Sequence, residues 1–228
     1  MKVLVLGATG GLGQYMWKGL VKAGHEVVAV VRSPQKLDRS DASIFEKLEV
    51  VEGNVLDAAV VQKAAQGCTV AINCTSPATG NSTLELAQAA VANASAAGVT
   101  QFYMTGGLGA LYAPGTNQTI LLQDWDDEAD QKAFGMPMPG MPKDKLQAMT
   151  KGHLTSMEYL KSTGVAHAFV CPGYMVDGPP TDERVVAMDE LKTPKALKVN
   201  FGNVAQAVID DVGVGKLLGH RVCVSDSI

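Results

Sequence analysis

A short apolar run at residues 3–6, VLVL, is followed at once by glycines at positions 7, 10 and 13, in the spacing G-x-x-G-x-x-G. A β-branched and leucine run of that length makes one buried strand, and glycines at that interval make a tight turn that opens a helix. Glycine is needed there because the backbone must reverse sharply, approach a ligand with no Cβ in the way, and let the helix pack closely on the strand. Uncapped N–H groups at such a helix start bind phosphate, and the turn as a whole fits a pyrophosphate. A glycine turn also serves structure alone, so its meaning depends on the rest of the chain.

Beyond the turn the chain alternates strand and helix. Residues 12–23 place Leu12, Tyr15, Met16, Leu20 and Ala23 near one helical face, and Gly24 ends the helix. Residues 26–31, 48–52, 69–73, 100–104 and 166–171 read as further strands. Helices are expected at residues 58–66, from the Ser82-Thr83 cap to Gly98, and over 144–163 as far as Gly164. The strands are apolar throughout and do not alternate, which argues for a parallel sheet covered on both faces. The expected fold is therefore α/β, a doubly wound Rossmann sheet in a single domain. A small C-terminal region, on the substrate side, would hold short strands near 185–188 and 196–199, a helix at 203–213 and a last strand at 221–224. The alternation breaks over residues 107–142, which contain an acidic run at 124–128 and a Met/Pro stretch at 135–142. Loops of this length usually serve function, and a mobile cover over the ligand site competes here with a solvated surface insertion.

Composition narrows the partners. A chain of 228 residues suits one α/β domain. A net charge of −4 and a pI near 5.5 argue against nucleic acid or a membrane surface as partner. The N-terminus carries no apolar stretch long enough for a signal peptide or a membrane span, so a cytoplasmic location is expected. Cys68, Cys74, Cys171 and Cys223 show no metal-ligand spacing and read as reduced core thiols, and no histidine pairs with them. No metal is expected.

Strand two runs into Arg32-Ser33. An acid at this position holds the ribose 2′-hydroxyl of NAD, whereas arginine suits the 2′-phosphate of NADP. A charge-assisted hydrogen bond contributes roughly 1.5–3 kcal/mol, a preference on the order of tenfold to a hundredfold. The expected cofactor is NADP(H), with NAD as the second choice.

Five stretches together carry a family resemblance: the glycine turn at 7–13, the 31–33 end of strand two, Gly53-Asn54-Val55-Leu56-Asp57, the Gly106–Gly115 glycine stretch, and Cys171-Pro172-Gly173-Tyr174. In these the chain resembles the atypical short-chain dehydrogenase/reductases, in particular the NAD(P)H-binding proteins similar to flavin reductase/biliverdin-IXβ reductase and the NmrA-like proteins. The resemblance implies that Gly7, Thr9, Gly10, Gly11, Leu12 and Gly13 hold the pyrophosphate. It implies that Arg32 and Ser33 meet the adenosine phosphate and that Asn54 and Val55 lie near adenine, although the family usually has Asp in place of Asn54. Cys74, Thr75 and Ser76 would border the nicotinamide ribose, and Thr105, Gly106, Pro172, Gly173 and Tyr174 would surround the nicotinamide.

The wider superfamily reduces carbonyls with a tyrosine and a lysine four residues on. Four residues beyond Tyr15, Tyr103, Tyr112, Tyr159 and Tyr174 stand Gly19, Gly107, Thr116, Thr163 and Gly178, so the dyad is absent. Reducing a ketone leaves an alkoxide that needs a positioned acid, whereas a flavin or tetrapyrrole delocalises the incoming charge and takes its proton from solvent. The flavin/biliverdin reductases carry a serine after the strand-five threonine and a histidine after strand six, where this chain has Gly106 and Tyr174. Tyr174 and His153 are the candidate catalytic residues, Tyr174 by stacking or donating its phenol and His153 by giving a proton. For His153 and its neighbour Lys151, the simpler expectation is a solvated helix face. The sequence thus points to an NADPH-dependent reductase of a small planar acceptor, with FMN or riboflavin as substrate rather than a tightly held group. The alternative is a non-catalytic, NmrA-like module that senses the NADP(H) ratio. A monomer or a homodimer fits either.

Overall fold

Six parallel strands end at one edge of a twisted sheet: β1 (Lys2–Leu6), β2 (Glu26–Val31), β3 (Leu48–Glu52), β4 (Val70–Asn73), β5 (Gln101–Thr105) and β6 (Ala166–Val170). The computed structural model describes residues 1–76, 82–112, 115, 119, 143–190 and 198–226. Two later strands, β8 (Arg184–Met188) and β10 (Arg221–Asp226), complete an eight-stranded sheet in the order β3-β2-β1-β4-β5-β6-β10-β8. The chain winds outward from β1 to β3 and then returns to β4 on the other side of β1. That reversal opens a crevice beyond the carboxyl ends of β1 and β4, where open α/β sheets bind ligands.

Both faces of the sheet are covered, as continuous apolar strands require. Leu4 and Leu6 of β1 point into a cluster with α3 (Ala58–Ala64), α4 (Thr83–Ser95) and α5 (Lys143–Thr163). Val3 and Val5 point the other way, onto α1 (Gly11–Lys22) and α6 (Phe201–Asp211). Ser82 caps α4 by accepting from the Glu85 N–H at 3.1 Å. The buried Ala87, Ala90 and Ala94 let this helix lie close between α3 and α5. A short helix, α2 (Ala42–Phe45), precedes β3.

The structure corrects several details. β8 runs antiparallel to β10, pairing Cys223 with Ala187, so the sheet is mostly rather than wholly parallel. Helix α1 buries Trp17 and Val21 and leaves Ala23 exposed, because the helix is wedged between sheet and α6 and so needs a wider apolar stripe. A strand the sequence did not suggest, β7 (Tyr174–Val176), pairs with β9 (Lys198–Asn200) in a separate two-stranded sheet. Helix α6 begins at Phe201, two residues early, because the Asn200 side chain caps it by accepting from the Asn203 N–H at 2.6 Å.

Of the segment 107–142 expected as a cover or a surface insertion, the structure describes residues 107–112, 115 and 119. Leu108, Ala110 and Leu111 are buried, and a 3-10 turn at Leu108–Ala110 packs on α5. The acidic run and the Met/Pro stretch lie outside the described residues, as do Ala196 and Leu197 of the expected 196–199 strand. Among the described residues, no helix is long and apolar enough to cross a membrane, and no three His, Cys, Asp or Glu side chains cluster as a metal site would require.

Candidate cofactor-binding site

The glycine turn is built so that no larger residue fits at Gly7 or Gly13. Gly7 leaves β1 with φ at +82°, in the left-handed region that favours glycine. A Cβ placed on it would stand 2.8 Å from the Cys74 carbonyl carbon and 2.9 Å from the Thr75 nitrogen. A Cβ on Gly13 would stand 2.2 Å from the Gly7 carbonyl oxygen. These are backbone atoms, which cannot rotate away. The Gly10 N–H donates to the Gly7 oxygen at 3.1 Å, and Gly10 stands at the N-cap of α1 with no side chain capping the helix and no acid in its first turn. The first N–H groups of α1 are therefore left for a ligand beside exposed Gly10 and Gly11 and half-buried Thr9, with Leu12 buried behind them.

The neighbouring strand ends close on this turn. Asn73, buried at the end of β4, accepts at Oδ1 from the Thr75 N–H at 3.1 Å and the Thr75 hydroxyl at 2.7 Å. The Cys74 N–H donates to the Leu6 carbonyl at 2.9 Å, which locks this bend to β1. Burial pushes the Cys74 thiol up to about 12, and a hydrogen bond with the Thr105 side chain offsets only part of that. Cys74 is thus a neutral thiol joining the ends of β4 and β5, and not a nucleophile. Gly106 donates its N–H to the Val170 oxygen at 2.6 Å, and a Cβ there would meet the buried Phe169 ring at 2.0 Å.

His153 is not on a solvated face. Its neighbour Lys151 is exposed, but His153 is buried on α5 with 7% exposure. A Cβ on Gly107 would stand 2.7 Å from its Nδ1, an atom that has no hydrogen-bond partner among the described residues. Burial lowers its pKa to about 4, so the ring is neutral near pH 7. Past β6, Pro172 is buried, Gly173 half-buried and Tyr174 half-exposed on β7.

Residues 7–212 match the NAD(P)H-binding family of domains, a span that runs from the first glycine of the turn to just past α6. The chain belongs to the NAD(P)H-binding family. The uncharacterized Bacillus subtilis (strain 168) protein YwnB is 24% identical over 220 residues, 93% of this chain and 92% of its own. The structure of a Streptococcus pneumoniae protein provisionally called an NADH-flavin reductase aligns over 100% of both chains at a TM-score of 0.73 and 20% identity. ChuY, an anaerobillin reductase from Escherichia coli O157:H7, aligns over 99% of this chain and 97% of its own at a TM-score of 0.70 and 18% identity. At these identities the two structures establish the shared fold.

The glycine turn fits the nicotinamide dinucleotide of the NAD(P)H-binding family, since backbone contacts fix its shape at Gly7 and Gly13 while a Cβ on Gly10, at the uncapped start of α1, would meet nothing nearer than 3.5 Å. Arg32 is exposed at the end of β2 and pairs with no carboxylate among the described residues, and Ser33 follows it half-buried. Asn54 accepts the Leu56 N–H at 3.1 Å, which leaves its NH2 group and one lone pair for a ligand, while Val55 is buried beneath it. Thr75 and Ser76 stand on the bend that Asn73 holds. Sequence reasoning missed Asn73 as the residue that shapes this bend. An Asn two residues before a Thr at a strand end is the signal of an Asx turn. It also missed Phe201, which lies over Gly11 and stacks on Tyr15 with ring centroids 6.4 Å apart.

Proposed function

We propose that this chain is an NADPH-dependent oxidoreductase that passes a hydride to a flavin or a similar planar conjugated acceptor, with FMN or riboflavin as a substrate that comes and goes. The observation that carries this reading is the pairing of an unpartnered Arg32 beyond β2 with a tyrosine set that lacks the lysine partner four residues on. The names given to the Streptococcus and Escherichia neighbours support a reductase of this class. When bound, NADPH supplies the hydride.

The chain's own residues orient and exclude. The N–H groups at the start of α1 take the pyrophosphate, and Arg32 with Ser33 takes the 2′-phosphate, a contact worth roughly tenfold to a hundredfold over NADH. Asn54 meets the adenine edge. Cys74, Thr75 and Ser76 border the nicotinamide ribose, and Thr105, Gly106, Pro172 and Gly173 wall the nicotinamide. Tyr174 offers a ring for the acceptor to stack on, as befits chemistry that needs proximity more than acid. His153, being neutral, serves as a hydrogen-bonding group and not as a cationic acid.

A thermal-shift comparison of NADPH and NADH, followed by an acceptor screen with the better cofactor, tests this reading. Stabilisation by NADPH above NADH and oxidation of NADPH on adding FMN or riboflavin are expected. Binding without turnover of any flavin or quinone would favour an NADP(H)-sensing module instead.

A further inference from the structure

We infer that Gln14 is a positioning residue that sets NADPH against NADH by tying the pyrophosphate-binding helix to the segment that carries Arg32. The inference rests on the reading of Arg32 as the residue that meets the 2′-phosphate. Gln14 sits at the fourth position of α1, where its N–H makes the first helical bond to the Gly10 oxygen at 2.9 Å. Its half-buried side chain leaves the helix toward the segment after β2. There Nε2 donates to the Lys36 carbonyl at 2.8 Å, while Oε1 accepts from the Asp38 N–H at 3.2 Å. Oε1 also accepts from the indole N–H of buried Trp17 at 3.0 Å. Two donors face one end of the amide and a carbonyl faces the other, which settles how the amide is oriented.

The consequence is geometric. Arg32 and Ser33 are anchored on one side by β2, where the Gly53 N–H reaches the Val31 oxygen at 2.9 Å. On the other side the chain turns through Pro34–Lys36, with the Lys36 N–H donating to Ser33 at 3.0 Å, and is then held on α1 by Gln14. An ion pair between Lys18 and Asp38 and the buried Leu37 seat the same segment on the same helix. Of the cations in this quarter, Lys18 is engaged with Asp38 and Arg39 lies over the Phe45 ring, while Lys36 is exposed on the same turn as Arg32. The Gln14 amide, with the Lys18–Asp38 pair and Leu37, thus helps set the distance between the pyrophosphate site and Arg32. A contact that depends on distance in this way is lost by small displacements.

NADPH and NADH differ only at the 2′-phosphate, so a residue that merely stabilises the fold lowers both affinities together. The experiment measures Kd for both cofactors by titration calorimetry on the full-length wild type, Gln14→Leu, Gln14→Met and Arg32→Ala. Gln14→Met keeps the length and most of the volume of the side chain, removes its hydrogen bonds and adds no charge near the phosphates, so it remains informative even where Gln14→Leu fails to fold. The expected result is an NADPH Kd raised about tenfold in both Gln14 variants, with the NADH Kd unchanged within about twofold. Equal shifts for both cofactors, or none for either, in folded Gln14 variants would overturn the inference while leaving Arg32 in place. An unchanged NADPH-to-NADH ratio in Arg32→Ala would instead overturn the reading beneath it, and this inference with it.

Discussion

The two halves of the crevice are built to different standards. On the β1–β2–β4 side, a Cβ on Gly7 or Gly13 would meet backbone at 2.2–2.9 Å, and Asn73 and Gln14 each use their side-chain groups on named partners. On the β5–β6–β7 side, Gly106 and Gly107 face the side chains of Phe169 and His153 instead. There a buried imidazole nitrogen lacks a partner among the described residues, and Tyr174 stands half-exposed on a three-residue strand. Backbone contacts define a ligand of one shape, whereas side-chain contacts can be remade. The first half thus suits the pyrophosphate and adenosine end of the dinucleotide, and the second is the half to which our proposal brings the nicotinamide and the acceptor.

The largest effect should come from breaking the rigid half. Gly13→Ala pushes a methyl onto the Gly7 carbonyl, an overpacking that costs roughly 1–3 kcal/mol or more, and it should abolish NADPH binding in calorimetry. Tight binding by a folded Gly13→Ala protein would show that the turn yields after all. The acceptor half carries a comparable effect on stability. The folded pKa of His153, about 4, lies below its unfolded value of about 6.5. Between those values the unfolded chain binds more protons, so stability is complete above about pH 6.5 and falls as the pH drops toward 4, by up to about 3 kcal/mol. His153→Leu should flatten that slope in denaturant titrations across this range, and an unchanged slope would assign it to other groups.

Arg32→Ala should weaken NADPH on the order of tenfold to a hundredfold and leave NADH unchanged, which sharpens the claim that the first half recognises the phosphate. Tyr174→Ala is the smallest of the set. Loss of one stacking ring costs roughly 0.5–1.5 kcal/mol, so the KM for riboflavin should rise several-fold while NADPH binding stays the same. A change in NADPH binding would move Tyr174 into the cofactor half.

The same contrast explains how much of the molecule was legible in its sequence. The glycine turn, Arg32 and the strand ends could be read because local sequence dictates them, a tight turn needing glycine and a buried parallel strand needing an unbroken apolar run. β7 was invisible because a three-residue strand leaves no periodicity, and it exists only where β9 pairs with it. The antiparallel edge strand β8 has exposed Val185, Val186 and Met188, a pattern that says strand but not direction. The burial of His153 follows from α5 packing against Gly107 and Gly109, contacts between distant residues that helical spacing alone does not announce. Gln14 and Asn73 looked like ordinary polar residues because their partners lie across loops.

Single-turnover mixing of the enzyme–NADPH complex with riboflavin, followed as loss of reduced nicotinamide absorbance, tests the central claim most directly. Hydride transfer to the flavin should match the NADPH consumed, and its rate should stay flat from pH 6 to 8, where neither His153 nor Cys74 changes charge. A complex that forms but passes no hydride, or a rate governed by an ionisation within that range, would contradict it.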